Sequence, residues 1–475
     1  MLATCNRRGN LAALQAAPKS ITRQLFSLAA PIIGINVLNV LMLAVDSALC
    51  GRLPDRDHTL AALGLSVQVV FLLMVAMLGL LVGTVALVAR AHGGGDRDRV
   101  NHLLVQSTML TGSVGIVIGV IGAIAARSIL VVLGASDAVA DIGQAYLRPL
   151  MIGTPFFYLT LLYAGILRGV GNTRIPFCCA LVANVINAVI NYGLVLGNLG
   201  MPSLGVRGSA IGTVIAQFVN VVILLYVLRR GVVANIRMPW KLVKIEHQLA
   251  VDLFRIGWPA AIDMLILNAG FLTALGMLAR IDEVTVAAHG LGLRIQSLAF
   301  VPGLSIAQAT AAMVGQALGA SNIERAREVV RGSMTLCVVT MSALAIAIIF
   351  AAYPLSHIFD VKPGTPLEAY TVEWMRILGY SMIPSAIQLA FVGLLQGAGA
   401  TRTSLRINIW TTLLIQIPIA YMLGFPLDHG AFGVWLSFPI VFVAKAALNY
   451  SAYKREKWAV TGVRIPAAPA AAAEH

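Results

Sequence analysis

ILRGVGNTR at residues 166–174 is followed 228 positions later by LLQGAGATR at 394–402, and this pair decides how the chain is read. LFSLAAP at 25–31 resembles LFRIGWP at 253–259 at the same displacement, and TLAA at 59–62 recurs as TVAA at 285–288, displaced by 226. Several ordered matches at nearly one offset mark a duplicated unit rather than coincidence. Between the matches lie apolar runs long enough to cross a bilayer, for which about 20 residues suffice. Gly, Pro and charge punctuate the runs into spans near 25–50, 59–90, 101–126, 139–167, 175–197 and 205–228. A second set follows near 249–279, 284–316, 329–353, 369–395, 405–425 and 430–453. With 475 residues, 59% hydrophobic and only 11% charged, the composition is that of a polytopic membrane protein. The reading is an all-α chain of about twelve transmembrane helices in two six-helix lobes.

Six spans return the chain to its starting side, so the copies insert in the same orientation. They are expected to be related by a pseudo-two-fold axis along the membrane normal, with a cavity between them, which is a transporter architecture. The units are residues 1–24 (N-terminal segment), 25–228 (first lobe), 229–248 (basic connector), 249–453 (second lobe) and 454–475 (tail, ending IPAAPAAAAEH). Lys and Arg crowd the termini and the connectors on the N-terminal side, most heavily as Arg229, Arg230, Arg237, Lys241 and Lys244. By the positive-inside rule both termini are cytoplasmic and the protein is a multi-pass protein of the cell (inner) membrane. The net charge of +14 therefore serves topology and not nucleic acid. No removable signal peptide is read in the first 24 residues, and the tail reads as disordered. Cys5, Cys50, Cys178, Cys179 and Cys337 show no metal-ligand spacing and read as small buried hydrophobes.

Chemistry concentrates in NVLNVLMLAVDSALCGR at 36–52. Asp46 lies about 31 Å along the first span at about 1.5 Å per residue. An acid deep in a membrane costs about 2.5–3.5 kcal/mol on insertion scales, so it faces a protein interior or a watery cavity. Asn36, Asn39, Leu43 and Asp46 are read onto one helix face by their spacings of three, four and three. The fifth span carries Asn184, Asn187 and Asn191 at spacings of three and four, and the sixth carries Ser209, Thr213 and Gln217 at spacings of four. Spans one, five and six thus aim polar rows into the first lobe. Such rows also glue membrane helices without any ligand, but with Asp46 as the one charge among them a small cation site is the stronger reading. Pro31 removes a backbone hydrogen bond fifteen residues before Asp46 and offers a hinge or a static kink. Its repeat partner Pro259 precedes Asp263, a second acid one turn later and nearer the cytoplasmic surface. GGGD at 93–96 and RGVGNTR at 168–174 lack the Walker lysine and read as tight turns. His289 and Arg294 are assigned to packing or lobe-to-lobe contacts. With no H-E-x-x-H and no G-x-S-x-G, an intramembrane hydrolase lacks its parts, and no enzyme is read.

At VDSALCGR (45–52), VGQALGA (314–320) and the paired LRGVGNTR and LQGAGATR turns, the chain resembles the multidrug and toxic compound extrusion (MATE) family, over about residues 20–453. The resemblance implies two lobes that open alternately to each side, exporting cationic, often aromatic compounds against inward flow of protons or sodium, without a cofactor. By position Asp46 matches the family's first-span acid, Pro31 its bending proline, Asn39 a polar residue one heptad before the acid, Asn187 the fifth-span asparagine and Thr213 a sixth-span threonine. Members of the DinF-like branch have a second acid where this chain has Asn191. Members of the NorM-like branch carry acids where Leu267 or Asn268, and Ser385, stand here, so the branch is left open.

The function expected is an antiporter of small organic cations or amphipathic drugs, acting as a monomer in the lipid bilayer. Asp46, Asn187, Asn191 and Thr213 are the ion-coupling set. Asn36, Asn39, Pro31, Asn184, Gln217 and Asp263 are the cavity or hinge set. Burial disfavours the charged form of a carboxylate, which lets one acid take and release a proton. Sodium at Asp46 is the less favoured ion, because stripping its water calls for more oxygen ligands. The rival is a lipid-linked oligosaccharide flippase of a related fold, which would want a cationic cavity.

Overall fold

The computed structural model describes residues 20–53, 56–234, 236–238, 244–359 and 361–459. The expectations for the first 19 residues, for Lys241 and for the tail beyond 459 fall outside this set. Among the described residues there are ten single helices of membrane-spanning length and two bent pairs, giving the twelve spans read from the sequence. The first lobe comprises Ile21–Cys50, Arg56–Gly93, Arg97–Val132, the pair Asp137–Ile152 and Thr154–Gly169, Arg174–Leu196, and Val206–Arg230. The second comprises His247–Leu278, the pair Glu283–Ala299 and Val301–Gly319, Ile323–Phe350, Pro366–Gly397, Thr401–Gly424, and Gly430–Lys454. A short helix, Ala352–Ile358, follows the ninth span.

The repeat is written into the helix ends. Asp96 caps the third span by accepting from the Arg99 amide at 2.9 Å, and Asn322, its partner at the 226 offset, caps the ninth by accepting from the Arg325 amide at 2.8 Å. After the fourth and tenth spans the equivalent glycines Gly171 and Gly399 take φ of +87° and +69°. Left-handed backbone of this kind favours glycine, which explains why the turn pattern survives in both copies. RGVGNTR and GGGD are thus turns, as read. These turns lie on the face of the bundle where the described ends also meet, since Arg327 of the ninth span bonds Glu456 just past the twelfth. We call it the near face.

Three departures from the sequence reading have local causes. The fourth span bends by 50° between Ile152 and Thr154, and the eighth by 40° between Ala299 and Val301. Pro155 and Pro302 stand in the first turn of each second half, where the missing amide costs least, so an uninterrupted apolar run hides a break. The eleventh span carries a π-helical turn at Thr412–Gln416. The first span, in contrast, runs as one helix through Pro31, so Pro31 is a position of weakened backbone inside a continuous rod.

The lobes meet along the first, second, seventh and eighth spans. Small residues allow it: a Cβ on Gly79 would sit 2.9 Å from the Gly257 carbonyl oxygen, and one on Gly257 would sit 2.4 Å from that of Gly79. One apolar core gathers around Leu103, Leu162 and Leu224 of the first lobe and takes in Leu249, Leu253 and Ile256 of the seventh span; the other gathers around Val329, Met375 and Leu394 of the second lobe and takes in Leu25, Ala29 and Ile32 of the first span. Cys50, Cys179 and Cys337 are buried free thiols within the bundle.

Candidate functional site

The polar rows of spans one, five and six converge. Asp46 is 4% exposed, and its carboxylate accepts from Asn191 Nδ2 at 2.5 Å. The same Asn191 amide donates to Asn187 Oδ1 at 3.0 Å, Asn187 Nδ2 donates to Thr213 Oγ1 at 3.1 Å, and Thr213 donates to the Ser209 carbonyl at 3.0 Å. Three helices are thereby tied to one carboxylate by side chains that are themselves buried. Gly212 makes room for the network, since a Cβ there would lie 1.9 Å from Asn191 Oδ1. The four residues assigned to ion coupling therefore form one connected unit.

Asp46 also opens onto a cavity of about 380 Å³. Its wall holds Asn39, Asn184 and Gln217, as the sequence predicts, together with Asn220, Tyr146, Phe71, Phe157, Met42 and Met74. Among the described residues, all those lining this cavity belong to the first lobe. Among the described residues, Asp46 is the only charged one lining it. Asn184 donates back to the Ala180 carbonyl at 2.8 Å, which turns its Oδ1 free. Among the described residues Asn184 Oδ1, Gln217 Oε1 and Asn220 Oδ1 find no hydrogen-bond partner although buried. Oxygen acceptors around one carboxylate, walled by aromatic rings and methionines, suit a ligand that brings N–H groups, positive charge and apolar surface. Asn220 was missed, though it extends the row of Thr213 and Gln217 by three residues and was legible on the same spacing.

Two assigned residues lie elsewhere. Asn36 donates to Ser305 Oγ of the eighth span at 3.0 Å, so it is a lobe-to-lobe contact and not part of the cavity wall. Ten residues at about 100° each leave it roughly 80° from Asp46 around the helix, whereas Asn39, one heptad away, is off by only about 20°. Asp263 sits in the second lobe, where its two oxygens accept from Asn408 Nδ2 at 2.5 Å and Ser404 Oγ at 2.9 Å. Lys445 of the twelfth span, 1% exposed, lies within Coulombic reach of it. Asp263 is thus a charge compensated within its own lobe, away from the cavity. His289 packs on Trp374 with ring centroids 5.0 Å apart and belongs to the second lobe's aromatic core, as the packing reading has it.

The MatE family profile matches the chain twice, at residues 31–193 and 259–422, together more than half of it and in register with the duplicated unit. This chain belongs to the MATE family. It is therefore a transporter and not an enzyme. Among curated relatives it is 26% identical over 441 residues to the probable multidrug resistance protein NorM of Thermotoga maritima, covering 92% of this chain and 93% of that one. It is 25% identical over 437 residues to the probable multidrug resistance protein YoeA of Bacillus subtilis, covering 92% and 94%. A crystal structure of a MATE protein in the bent conformation superposes with a TM-score of 0.85 at 21% identity, covering 93% of this chain and 96% of that one. An outward-facing multidrug resistance MATE transporter of the MOP superfamily gives 0.85 at 21% identity, covering 94% and 99%. At this identity the structures carry the fold alone. The twelve-helix, two-lobe MATE fold is the one read from the sequence.

Proposed function

We propose that this MATE transporter exports cationic or amphipathic drugs in exchange for protons, with Asp46 alternately holding proton and substrate as the two lobes open to opposite sides. The observation that carries the reading is the single carboxylate at the wall of the first-lobe cavity, backed by a fixed amide network and faced by unpartnered amide oxygens. A cationic substrate gains a counter-charge from Asp46 and acceptors from Asn184, Gln217 and Asn220, while Phe71, Phe157 and Tyr146 offer ring faces. When Asp46 is protonated the counter-charge is gone and the substrate loses its anchor. The exchange follows from one acid serving two ligands that cannot be held together.

The proton reading draws support from what faces Asp46. Asn191 donates an amide N–H to the carboxylate, and among the described residues no second carboxylate lines the cavity to help hold a sodium ion. A proton needs one carboxylate and nothing more. The relatives named above as multidrug resistance proteins favour drugs as substrates, and the acidic wall speaks against anionic lipid headgroups. The crowding of Lys and Arg on the near face supports its being cytoplasmic, and with it both termini. The chain acts as a monomer in this reading, because the cavity is complete within one lobe. The test is Asp46→Asn, assayed for export of a fluorescent cationic dye from proteoliposomes under an imposed proton gradient. The variant keeps the shape of the site and is expected to insert and purify normally yet lose gradient-driven export. Export at the native rate would overturn the coupling role.

A further inference from the structure

The two lobes are fastened to each other at the near face by a pair of bonds that the repeat duplicates. Arg90, near the end of the second span, donates from Nη2 to the Ala398 carbonyl at 2.6 Å. Gln316, its partner at the 226 offset in the eighth span, donates from Nε2 to the Gly169 carbonyl at 2.8 Å. Each donor reaches across to the turn that ends the fourth or tenth span of the opposite lobe. Between them Arg168 donates from Nη1 to Gln308 Oε1 at 2.5 Å, again from one lobe to the other. The backbones close in as well: a Cβ on Gly93 would sit 2.0 Å from the Gln316 carbonyl oxygen, and one on Gly319 would sit 2.0 Å from that of Arg90.

We infer that Arg90 and Gln316 form a two-fold latch that holds the near face shut and must release for the transporter to open there. The carbonyls they engage belong to the last turns of helices, which have no partner inside their own helix and carry the negative end of the helix dipole. A donor from the other lobe satisfies them while the face is closed. When the lobes part, water takes over both donor and acceptor, so the net value of each bond is modest and the latch is reversible. Arg90 spans the gap with the fixed fork of its guanidinium, which a lysine ammonium does not reproduce, and the glycines beside each latch keep the two backbones close enough for the reach. The repeated RGVGNTR and QGAGATR turns thereby acquire a task beyond ending a helix: they present the carbonyls on which the opposite lobe locks. The inference rests on the alternating-access reading but not on the identity of ion or substrate.

The test measures lobe separation directly. Spin labels at Arg97→Cys and Arg325→Cys, both exposed on the near face, are placed in a full-length background whose five native cysteines are changed to serine or alanine, and distances are read by double electron–electron resonance in nanodiscs. The unaltered latch gives a predominantly short distance. Arg90→Ala with Gln316→Ala is expected to raise the ratio of parted to joined lobes by about tenfold or more, from loss of a charged and a neutral hydrogen bond. Should that double variant not fold, Gln316→Ala alone and Arg90→Lys carry the test, each with a rise of about threefold. A distance distribution that stays short in every folded variant would overturn the latch. Since no ion gradient or substrate is present, this failure is separable from failure of the transport reading.

Discussion

Adding one methyl group to Gly212 probes the site without touching its charge. In Gly212→Ala the new Cβ would meet Asn191 Oδ1 at 1.9 Å and Ile190 Cγ2 at 3.1 Å, both inside contact distance. Asn191 is short and fully buried, so its amide has little room to turn away. Displacing it breaks the bond to Asp46 and the bond to Asn187. A hydrogen bond to a charged group is worth about 1.5–3 kcal/mol and a neutral one about 0.5–1.5, so the loss is about 2–4.5 kcal/mol. If span six shifts outward instead, overpacking costs about 1–3 kcal/mol. Gly112→Ala in the third span is the matched control, because a Cβ there meets nothing within 4 Å and a helical alanine is favoured over glycine by up to about 1 kcal/mol. Thermal unfolding in detergent, followed by tryptophan fluorescence, should show Gly212→Ala clearly less stable than the native protein and Gly112→Ala equal or slightly more stable. Dye export should fall only in the first. A Gly212→Ala protein as stable and active as Gly112→Ala would refute the packed Asp46 network.

Two further outcomes follow from the second lobe and the topology. Lys445→Met removes the buried cation within Coulombic reach of the Asp263 carboxylate and should lower the unfolding free energy, and adding Asp263→Asn should recover part of that loss; strict additivity of the two changes would show that the groups do not interact. Fluorescent protein fused after Tyr453 should fluoresce and alkaline phosphatase fused there should be inactive, whereas active phosphatase would reverse the orientation drawn from the basic residues.

The clearest match of the duplication was legible because it rests on turn chemistry: a glycine at a left-handed position after the fourth and tenth spans keeps the same letter in both copies. The convergence of Asp46, Asn187, Asn191 and Thr213 was legible because spacings of three and four fix a helix face. What lay beyond reach needed the third dimension. Asn36 looked aligned with Asp46 through a chain of short steps, but the angular error accumulates over ten residues and carried it to Ser305. Asp263 showed no partner in sequence because Ser404, Asn408 and Lys445 come from helices far along the chain. Arg90 carried no signal of its own in the sequence and Gln316 only its place within VGQALGA, and the packing of the lobes shows that each reaches into the other's turn. Periodicity gives the direction a side chain takes from its own axis; it does not say which neighbour stands there.

One carboxylate, Asp46, is proposed to couple export to protons. The most direct measurement is drug export from proteoliposomes in which a protonophore collapses the proton gradient while an inward sodium gradient is held, compared with the same vesicles under a proton gradient and no sodium. Export is expected under the proton gradient alone and background flux under sodium alone; full export driven by sodium with the proton gradient collapsed would contradict proton coupling at Asp46.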